Sequence, residues 1–332
     1  KISLNSAYGA IGNQYFRYFD LAIAEGITTA GQLSIRWIER KINQYLNKLL
    51  KTDKDYVIAS DTDSIYVRFD ELVSMVNPKN PIDFLDTVAK EKIEPFINKS
   101  YQQLSDYTTA YEQKMFMKRE VIADKGIWTA KKRYILNAWD VEGVRYKKPQ
   151  LKIMGIEAVK SSTPAPCREK IKEALEIIMS GSEKELNDFL IQFRKEFDSL
   201  APEDIAYPRS INGIRKWGSS SSIYRKGTPM HIKGALIFNH MIKSKGLTNK
   251  YPLVVGGGKI KYLQLRQPNP LASNVISFIT KVPKELDIHK YIDYDSQYEK
   301  SFIDPLSFIT NNIGWKIDRS FGTQTTLEDF FG

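Results

Sequence analysis

Tyr56-Val57-Ile58-Ala59-Ser60-Asp61-Thr62-Asp63-Ser64-Ile65-Tyr66-Val67-Arg68-Phe69 places two aspartates between two short apolar runs. Tyr56 to Ile58 and Ile65 to Phe69 are rich in β-branched and aromatic residues, the composition of strands. Between them, Ser60 to Ser64 has the turn chemistry that folds such a pair into a hairpin. On extended backbone, side chains two apart share a face, so Asp61 and Asp63 are expected to project together with Thr62 turned away. Two carboxylates held side by side repel each other unless a cation joins them. Hard oxygen donors favour Mg²⁺, which binds through one or two carboxylates together with substrate phosphates. The spacing alone is common: Asp53-Lys54-Asp55 and Asp293-Tyr294-Asp295 repeat it without flanking strand-like runs and read as solvated turns.

A chain of 332 residues is long enough for two domains with cores of their own. With 42% hydrophobic and 27% charged residues it reads as globular and soluble. No apolar run approaches the roughly 18 residues of a membrane span, so no membrane partner is expected. The single cysteine, Cys167, excludes an internal disulfide and suits a reducing compartment. Three scattered histidines, His231, His240 and His289, argue against a zinc site.

Charge is distributed unevenly. From Ile205 to Lys284 there is no Asp or Glu, while fourteen Lys and Arg occur, among them Arg215, Lys216, Arg225, Lys226 and Lys233. The segment carries +14 and the remainder −4, against a net charge of +10 for the chain. Surfaces built for solubility mix signs, so an acid-free run of this length points to a polyanion, nucleic acid first, with a merely basic surface as the alternative.

The chain opens inside a pattern, Lys1-Ile2-Ser3-Leu4-Asn5-Ser6-Ala7-Tyr8-Gly9, without an initiator Met. The expectation is that preceding sequence has been removed or is supplied by another chain. As a helix, it puts Lys1, Asn5 and Tyr8 on one narrow face. A nucleotide can lie along that face, triphosphate at Lys1 and base at Tyr8, with Gly9 allowing close approach of a base pair. The alternative is an ordinary helix end capped by Gly9. Ile38, Ile42, Tyr45, Leu46 and Leu49 then give Ile27 to Leu50 the pattern of an amphipathic helix, expected to back the aspartate hairpin. Ile82 to Tyr101 reads as helix broken near Pro95. Lys114 to Glu120 and Trp128 to Ala138 read as strands joined by a turn at Gly126. On the second, Lys131-Lys132-Arg133-Tyr134 either grips a phosphate backbone, with a ring against a sugar or base, or is an edge strand protected by lysines.

Taken in order, Lys1-x-x-x-Asn5-Ser6-x-Tyr8-Gly9, Asp61-Thr62-Asp63-Ser64 and Lys131-Lys132-Arg133-Tyr134 resemble the B, C and Lys-x-Tyr motifs of family B DNA polymerases. The likeness is to the replicative enzymes of T-even-type bacteriophages and extends through Trp37-Ile38-Glu39-Arg40-Lys41, Leu151-Lys152-Ile153-Met154-Gly155-Ile156-Glu157 and Ser161-Ser162-Thr163-Pro164 to the C-terminus. It implies an α+β fold: a palm of antiparallel sheet backed by helices, then a mainly helical thumb. Residues 1–12 would end the fingers, 13–163 form the palm, 164–318 the thumb and 319–332 a C-terminal tail. The resemblance further implies templated addition of dNTPs to a primer 3′ end with two Mg²⁺ ions. Asp61, Asp63 and Glu120 would hold the metal, Lys1 the triphosphate, Asn5, Tyr8 and Gly9 the nascent base pair. Lys131, Lys132 and Tyr134 would hold the primer end of a primer-template DNA. Lys118 departs from the acidic residue expected there. The family's A motif, with a further catalytic aspartate, and its exonuclease fall outside this sequence, so an N-terminal polymerase portion is an expected partner. Cytoplasmic location, in the host cell for a phage-encoded protein, also follows from the resemblance.

The presumed thumb opens with a helix carrying Ile171, Ala174, Leu175 and Ile178 and ended by Gly181. Ser182-Glu183-Lys184-Glu185 makes a capping box for the next helix, whose apolar face holds Leu186, Phe189, Phe193 and Phe197. The acid-free segment is expected to contain a flexible Ser219 to Ser222 loop and a hairpin turning at Gly256-Gly257-Gly258. At the end of the chain, Gln324, Leu327, Phe330 and Phe331 resemble a sliding-clamp-binding tail, an apolar plug at i, i+3 and i+4 with a polar contact one turn earlier. Folding back onto the thumb is the alternative. Two other functions fit less of the chain: a metal-dependent glycosyltransferase, which leaves the basic segment unexplained, and a non-catalytic DNA-binding replication subunit.

Overall fold

The computed structural model describes residues 2–219 and 222–319; within the first helix the side chains of Ile2, Leu4 and Asn5 lie outside the description. The chain forms a mixed α+β structure of two compact units, residues 1–124 with 138–150 and residues 125–137 with 151–332. Among the described residues, no helix is long and apolar enough to cross a membrane.

The first unit opens with α1 (Ile2–Ile11) and α2 (Leu21–Leu50). α1 runs past Gly9, so that glycine lies inside the helix and does not cap it. Asp20 caps α2, its carboxylate accepting from Ile23 N at 3.0 Å. The second half of α2 carries the larger core: Ile38, Ile42 and Leu46, spaced four apart, are buried with Tyr56, Val57, Ile97, Tyr101 and Leu104, while the first half buries Ala24. Tyr45 packs at the edge of this cluster and Leu49 is exposed, so the apolar stripe is narrower than its sequence pattern. Ahead of this half, Tyr15, Tyr18, Leu21 and Ile23 stand exposed.

The hairpin that rests on α2 is β1 (Val57–Asp61) paired antiparallel with β2 (Ser64–Val67). Asn43 of α2 ties the two together, its Oδ1 accepting from Tyr56 N at 2.8 Å and Val57 N at 3.0 Å. The expected backing of the hairpin by this helix is therefore present, and one amide side chain supplies much of the join. α3 (Asp70–Val76) follows, then α4 (Pro81–Val88) and α5 (Glu94–Tyr107), which are continuous through a wide π-turn at Ala89–Ile93. Pro95 explains that turn: it lacks an N–H and its ring crowds the preceding turn, so the backbone widens instead of breaking. The helical run is thus longer than expected and survives its proline.

Residues 111–120 form no strand, contrary to the reading of Lys114 to Glu120. The sheet begins instead with β3 (Val121–Ala130), followed by β4 (Arg133–Val141) and β5 (Val144–Met154) in the order β3-β4-β5. Each of these strands starts in one unit and finishes in the other. Gly126 lies inside β3 and makes no turn. A Cβ there would fall 2.6 Å from the Trp128 ring and 2.9 Å from Leu136 Cδ2, so the glycine is required by packing. The turn falls at Lys131-Lys132, where Lys132 takes φ +61°.

The second unit continues with α6 (Ala165–Ser180) and α7 (Glu183–Asp198). Both arms of the capping box form: Ser182 Oγ accepts from Glu185 N at 3.3 Å and Glu185 Oε2 from Ser182 N at 2.7 Å. α7 buries Leu186, Leu190, Phe193 and Phe197, with Phe189 only at the margin. After α8 (Pro202–Ile205) comes β6 (Tyr207–Ser210), then α9 (Met230–Ser244), β7 (Lys259–Gln264) and β8 (Val275–Phe278), in one antiparallel sheet ordered β6-β7-β8. The glycine run 256–258 does not fold Leu253-Val254 back on β7. It carries β7 toward β6, with Ile211 N donating to Gly258 O at 2.9 Å and Gly257 N to Ile211 O at 2.8 Å. Val254 is instead held by Asn239, through bonds of 2.7 and 2.8 Å. α9 crosses β8 at Gly234, where a Cβ would meet Ser277 Oγ at 2.5 Å. α10 (Tyr294–Tyr298) and α11 (Asp304–Thr310) close the described fold, joined by a second π-turn, Glu299–Ile303, that again precedes a proline, Pro305.

Candidate functional site

The carboxylate hairpin differs in one respect from its sequence reading. Asp61 ends β1 opposite Ser64, so the loop is only Thr62-Asp63, and Thr62 takes a left-handed φ of +55°. Alternation along extended backbone therefore does not set the directions of Asp61 and Asp63; the turn does. The turn is fixed locally: Thr62 Oγ1 donates to Asp61 Oδ1 at 3.0 Å and Ser64 Oγ donates to Asp61 O at 3.1 Å. A β-branched residue at positive φ is an uncommon strain, and here it lies between the two candidate metal ligands. The donor chemistry suits Mg²⁺: Asp63 is exposed and Asp61 partly so, and the ion requires few protein oxygens when water and phosphate supply the rest.

In the two other Asp-x-Asp pairs, Asp293, Asp295 and Asp55 have structural partners. Asp293 caps α10, accepting from Ser296 N at 3.0 Å, and Asp295 bonds Arg194 at 2.7 Å and Arg266 at 2.6 Å. Asp55 accepts from Asn43 Nδ2 at 2.6 Å.

Glu120, exposed in the same unit, follows an irregular stretch whose end is held by charge. Arg119 is nearly buried, with its guanidinium between Asp86, at 2.6 Å, and Asp140. Asp140 also accepts from Arg145 Nε at 3.0 Å and Gly143 N at 3.0 Å. Burial works to raise the Asp140 carboxyl, but the bonds from Arg119 and Arg145 outweigh it and hold it below the usual carboxylate range. Among the described residues no three His, Cys, Asp or Glu are gathered as a metal-holding group, so Asp61, Asp63 and Glu120 do not form one by themselves. The sequence reading missed this lattice because its members are spread from Asp86 to Arg145.

Of the nucleotide-site residues, Tyr8 is 44% exposed on α1 and Gly9 has open space where a Cβ would project. Lys1 and the side chain of Asn5 lie outside the described residues.

In the second unit, Lys131 and Lys132 are exposed on the two-residue loop between β3 and β4, not along an edge strand. Arg133 and Tyr134 behave otherwise. Tyr134 is 7% exposed, packed beside Trp128 with ring centroids 6.3 Å apart, so its face is not open to a sugar or base. Arg133 gives Nη1 to Glu157 Oε1 at 3.0 Å and Nη2 to Glu157 Oε2 at 2.6 Å. The basic triplet thus divides into two outward lysines and one inward arginine.

The acid-free segment divides likewise. Lys250 pairs with Glu285 and Arg266 with Asp295, carboxylates that lie just beyond it, while Arg209, Lys245 and Lys261 donate to backbone carbonyls. Arg215, Lys216, Arg225, Lys226 and Lys233 have no carboxylate partner among the described residues. Local bonds gather them: Gly218 bridges to Tyr224, Arg225 N donates to Trp217 O at 3.0 Å, and Lys233 lies 5.1 Å from the Tyr224 ring centroid. The result is a cationic loop pair interleaved with Trp217 and Tyr224, chemistry that fits a phosphate backbone. Ser220 and Ser221 of the expected flexible loop, and the proposed clamp residues Gln324, Leu327, Phe330 and Phe331, lie outside the described residues.

Comparison with known proteins shows the class. The family model for DNA polymerase family B matches residues 1–209. The chain belongs to that family. It is 36% identical over 351 aligned residues to the DNA-directed DNA polymerase of Enterobacteria phage T4, covering 100% of this chain and 38% of the relative. It is 40% identical over 331 residues to the DNA-directed DNA polymerase of Escherichia phage RB69, covering 94% of this chain and 36% of that relative. The chain therefore spans somewhat more than a third of the length of these relatives.

Proposed function

We propose that these residues form the palm and thumb of a DNA-directed DNA polymerase, with palm at 13–163, thumb at 164–318, the end of the fingers at 1–12 and a clamp-binding tail at 319–332. The observation that carries the reading is the Asp61–Asp63 hairpin, within the stretch that matches the polymerase family. In the reaction, the primer 3′ oxygen attacks the α-phosphorus of a dNTP and pyrophosphate leaves. Asp61 and Asp63, with Glu120, would hold two Mg²⁺ ions, which when bound supply charge stabilisation to the attacking and leaving oxygens. Lys1 would neutralise the triphosphate, and Asn5, Tyr8 and Gly9 would hold the nascent base pair. Lys131 and Lys132 grip the primer strand, while Arg133 and Tyr134 support their loop from within. Arg215, Lys216, Arg225, Lys226 and Lys233 follow the duplex backbone. The remaining catalytic aspartate, the exonuclease and the surface that covers Tyr15, Tyr18, Leu21 and Ile23 would belong to an N-terminal polymerase portion. The host cytoplasm is the proposed place of action, with the sliding clamp as a further partner.

The test is primer extension on a labelled primer-template. The isolated chain is expected to bind the DNA without extending it, and to extend it once the N-terminal portion is added. Binding should weaken steeply with salt, log K falling against log salt with a slope of about −5 or steeper if six or more cations meet phosphates. Robust Mg²⁺-dependent extension by the isolated chain would sink the divided catalytic site, and a slope near −1 would leave the basic segment without its role.

A further inference from the structure

The loop that presents Lys131 and Lys132 is only two residues long, and it is held from outside itself. Gly155, just past β5, takes φ +67°, and a Cβ at that position would come within 2.1 Å of Lys132 O and 3.2 Å of Arg133 Cγ. Backbone thus rests directly on the loop's own carbonyl, an approach that only glycine permits. Two residues further on, Glu157 receives both terminal nitrogens of Arg133 in a forked pair and the Lys160 ammonium at 2.9 Å. Burial works to raise the Glu157 carboxyl, but the bonds from Arg133 and Lys160 outweigh it and keep it below the ordinary carboxylate range. The Arg133 guanidinium also lies 5.6 Å from the Phe308 ring centroid, and its Nε is buried without a hydrogen-bond partner among the described residues. Both terminal nitrogens of Arg133 are thus turned toward Glu157.

We propose that Glu157 and Arg133 are positioning residues for DNA binding: their forked ion pair, with Gly155 beneath, fixes the Lys131–Lys132 loop so that both ammonium groups meet the primer backbone. This rests on the reading of Lys131 and Lys132 as DNA contacts. The physical reason for a fixed loop is entropic. Long, flexible lysines contribute to affinity only to the extent that the backbone beneath them is already ordered. A planar guanidinium against a carboxylate holds orientation as well as charge, which an ammonium in its place does not.

The proposal predicts a sign opposite to that of simple electrostatics. Glu157 is an acidic group in a polymerase surface that meets polyanion, and its removal would also release the charges of Arg133 and Lys160. If charge alone counts, Glu157→Gln tightens DNA binding. If the pair positions the loop, Glu157→Gln weakens it.

The experiment is fluorescence anisotropy of a labelled primer-template duplex with the full 332-residue chain over a salt series, each variant checked by circular dichroism and thermal melting. Lys131→Ala/Lys132→Ala is expected to weaken binding and lower the salt slope by about 1.8, or 0.9 for each phosphate contact. Glu157→Gln and Arg133→Met are each expected to raise Kd about five- to tenfold, the scale of a lost charge-assisted fork. Their combination should be no worse than either alone. Should a variant fail to melt cooperatively, Arg133→Lys, which keeps the charge and loses the fork, is read instead and should also raise Kd. Tighter or unchanged binding by Glu157→Gln or Arg133→Lys, with the lysine pair still needed, overturns the inference. An unchanged Kd on loss of both lysines overturns the underlying DNA reading of the loop and leaves the structural clasp standing.

Discussion

Two of the β-hairpins among the described residues carry a like-charged pair at the turn, and they are stabilised in different ways. The Asp61–Asp63 loop closes on itself through the side chains of Thr62 and Ser64 and accepts a strained Thr62 at its tip. The Lys131–Lys132 loop has one such local bond, Thr129 Oγ1 donating to Arg133 O at 3.3 Å, and further support from more distant residues. Gly155 and Glu157 come from beyond its own turn, Gly155 against Lys132 O and Glu157 in the forked pair with Arg133. The like-charged aspartates are held by bonds within their own turn, including Asp63 N donating to Asp61 O at 2.6 Å. Lysines reaching for a long polyanion need their platform aligned with the rest of a surface, and that alignment is set by tertiary contacts.

The comparison can be broken most severely at its chemical end. Asp63→Ala in the assembled polymerase should cut the extension rate by orders of magnitude while leaving DNA affinity nearly intact, because in the proposed reaction the carboxylate would act on metal-bound phosphate and the cations would supply affinity. Asp293→Ala, measured beside it, should leave extension unchanged and lower stability by about 1 kcal/mol, the usual cost of a lost helix cap. Equal loss of activity from both would remove the reason for singling out this hairpin.

The lysine loop can be broken from beneath. Gly155→Ala combines a left-handed backbone with a collision against backbone at 2.1 Å, and should cost about 3 kcal/mol in denaturant unfolding. Gly143→Ala has a similar φ, +87°, with open space around it, and should cost only about 1 kcal/mol. Similar losses at the two sites would show that the contact with Lys132 O carries no weight.

How far each loop can be read in the sequence follows from the same contrast. The aspartate hairpin, the α2 stripe and the capping box at Ser182 are legible because their determinants lie within a turn or a strand pair of one another. The clasp under the lysine loop is not: Arg133 and Glu157 are 24 residues apart, and Gly155 looks like any glycine after a strand. Glycine misleads elsewhere for the same reason. Gly126 and Gly256 to Gly258 carry turn chemistry, yet the first is required by the Trp128 ring and the second joins β7 to a strand some fifty residues upstream. Arg133 and Tyr134 read as surface residues by composition, and only the fold shows that both face inward.

The finest test lies at the tip of the aspartate loop. Asn tolerates left-handed backbone better than a β-branched residue and can still donate to Asp61, so Thr62→Asn should raise stability by about 0.5–1 kcal/mol in urea unfolding. A loss of stability would mean that the Thr62 hydroxyl bond to Asp61 outweighs the strain.

Cys167 gives the molecule a practical property. The chain has this one cysteine, buried in α6 with Sγ 3.3 Å from Ser301 Oγ, and burial pushes its thiol up to about 11. Burial thus keeps the thiol protonated and out of reach of a reagent in the folded state. A cysteine placed at the fully exposed Tyr111 would therefore react with a maleimide dye essentially alone, so the protein can be labelled at one chosen position without first removing the native thiol.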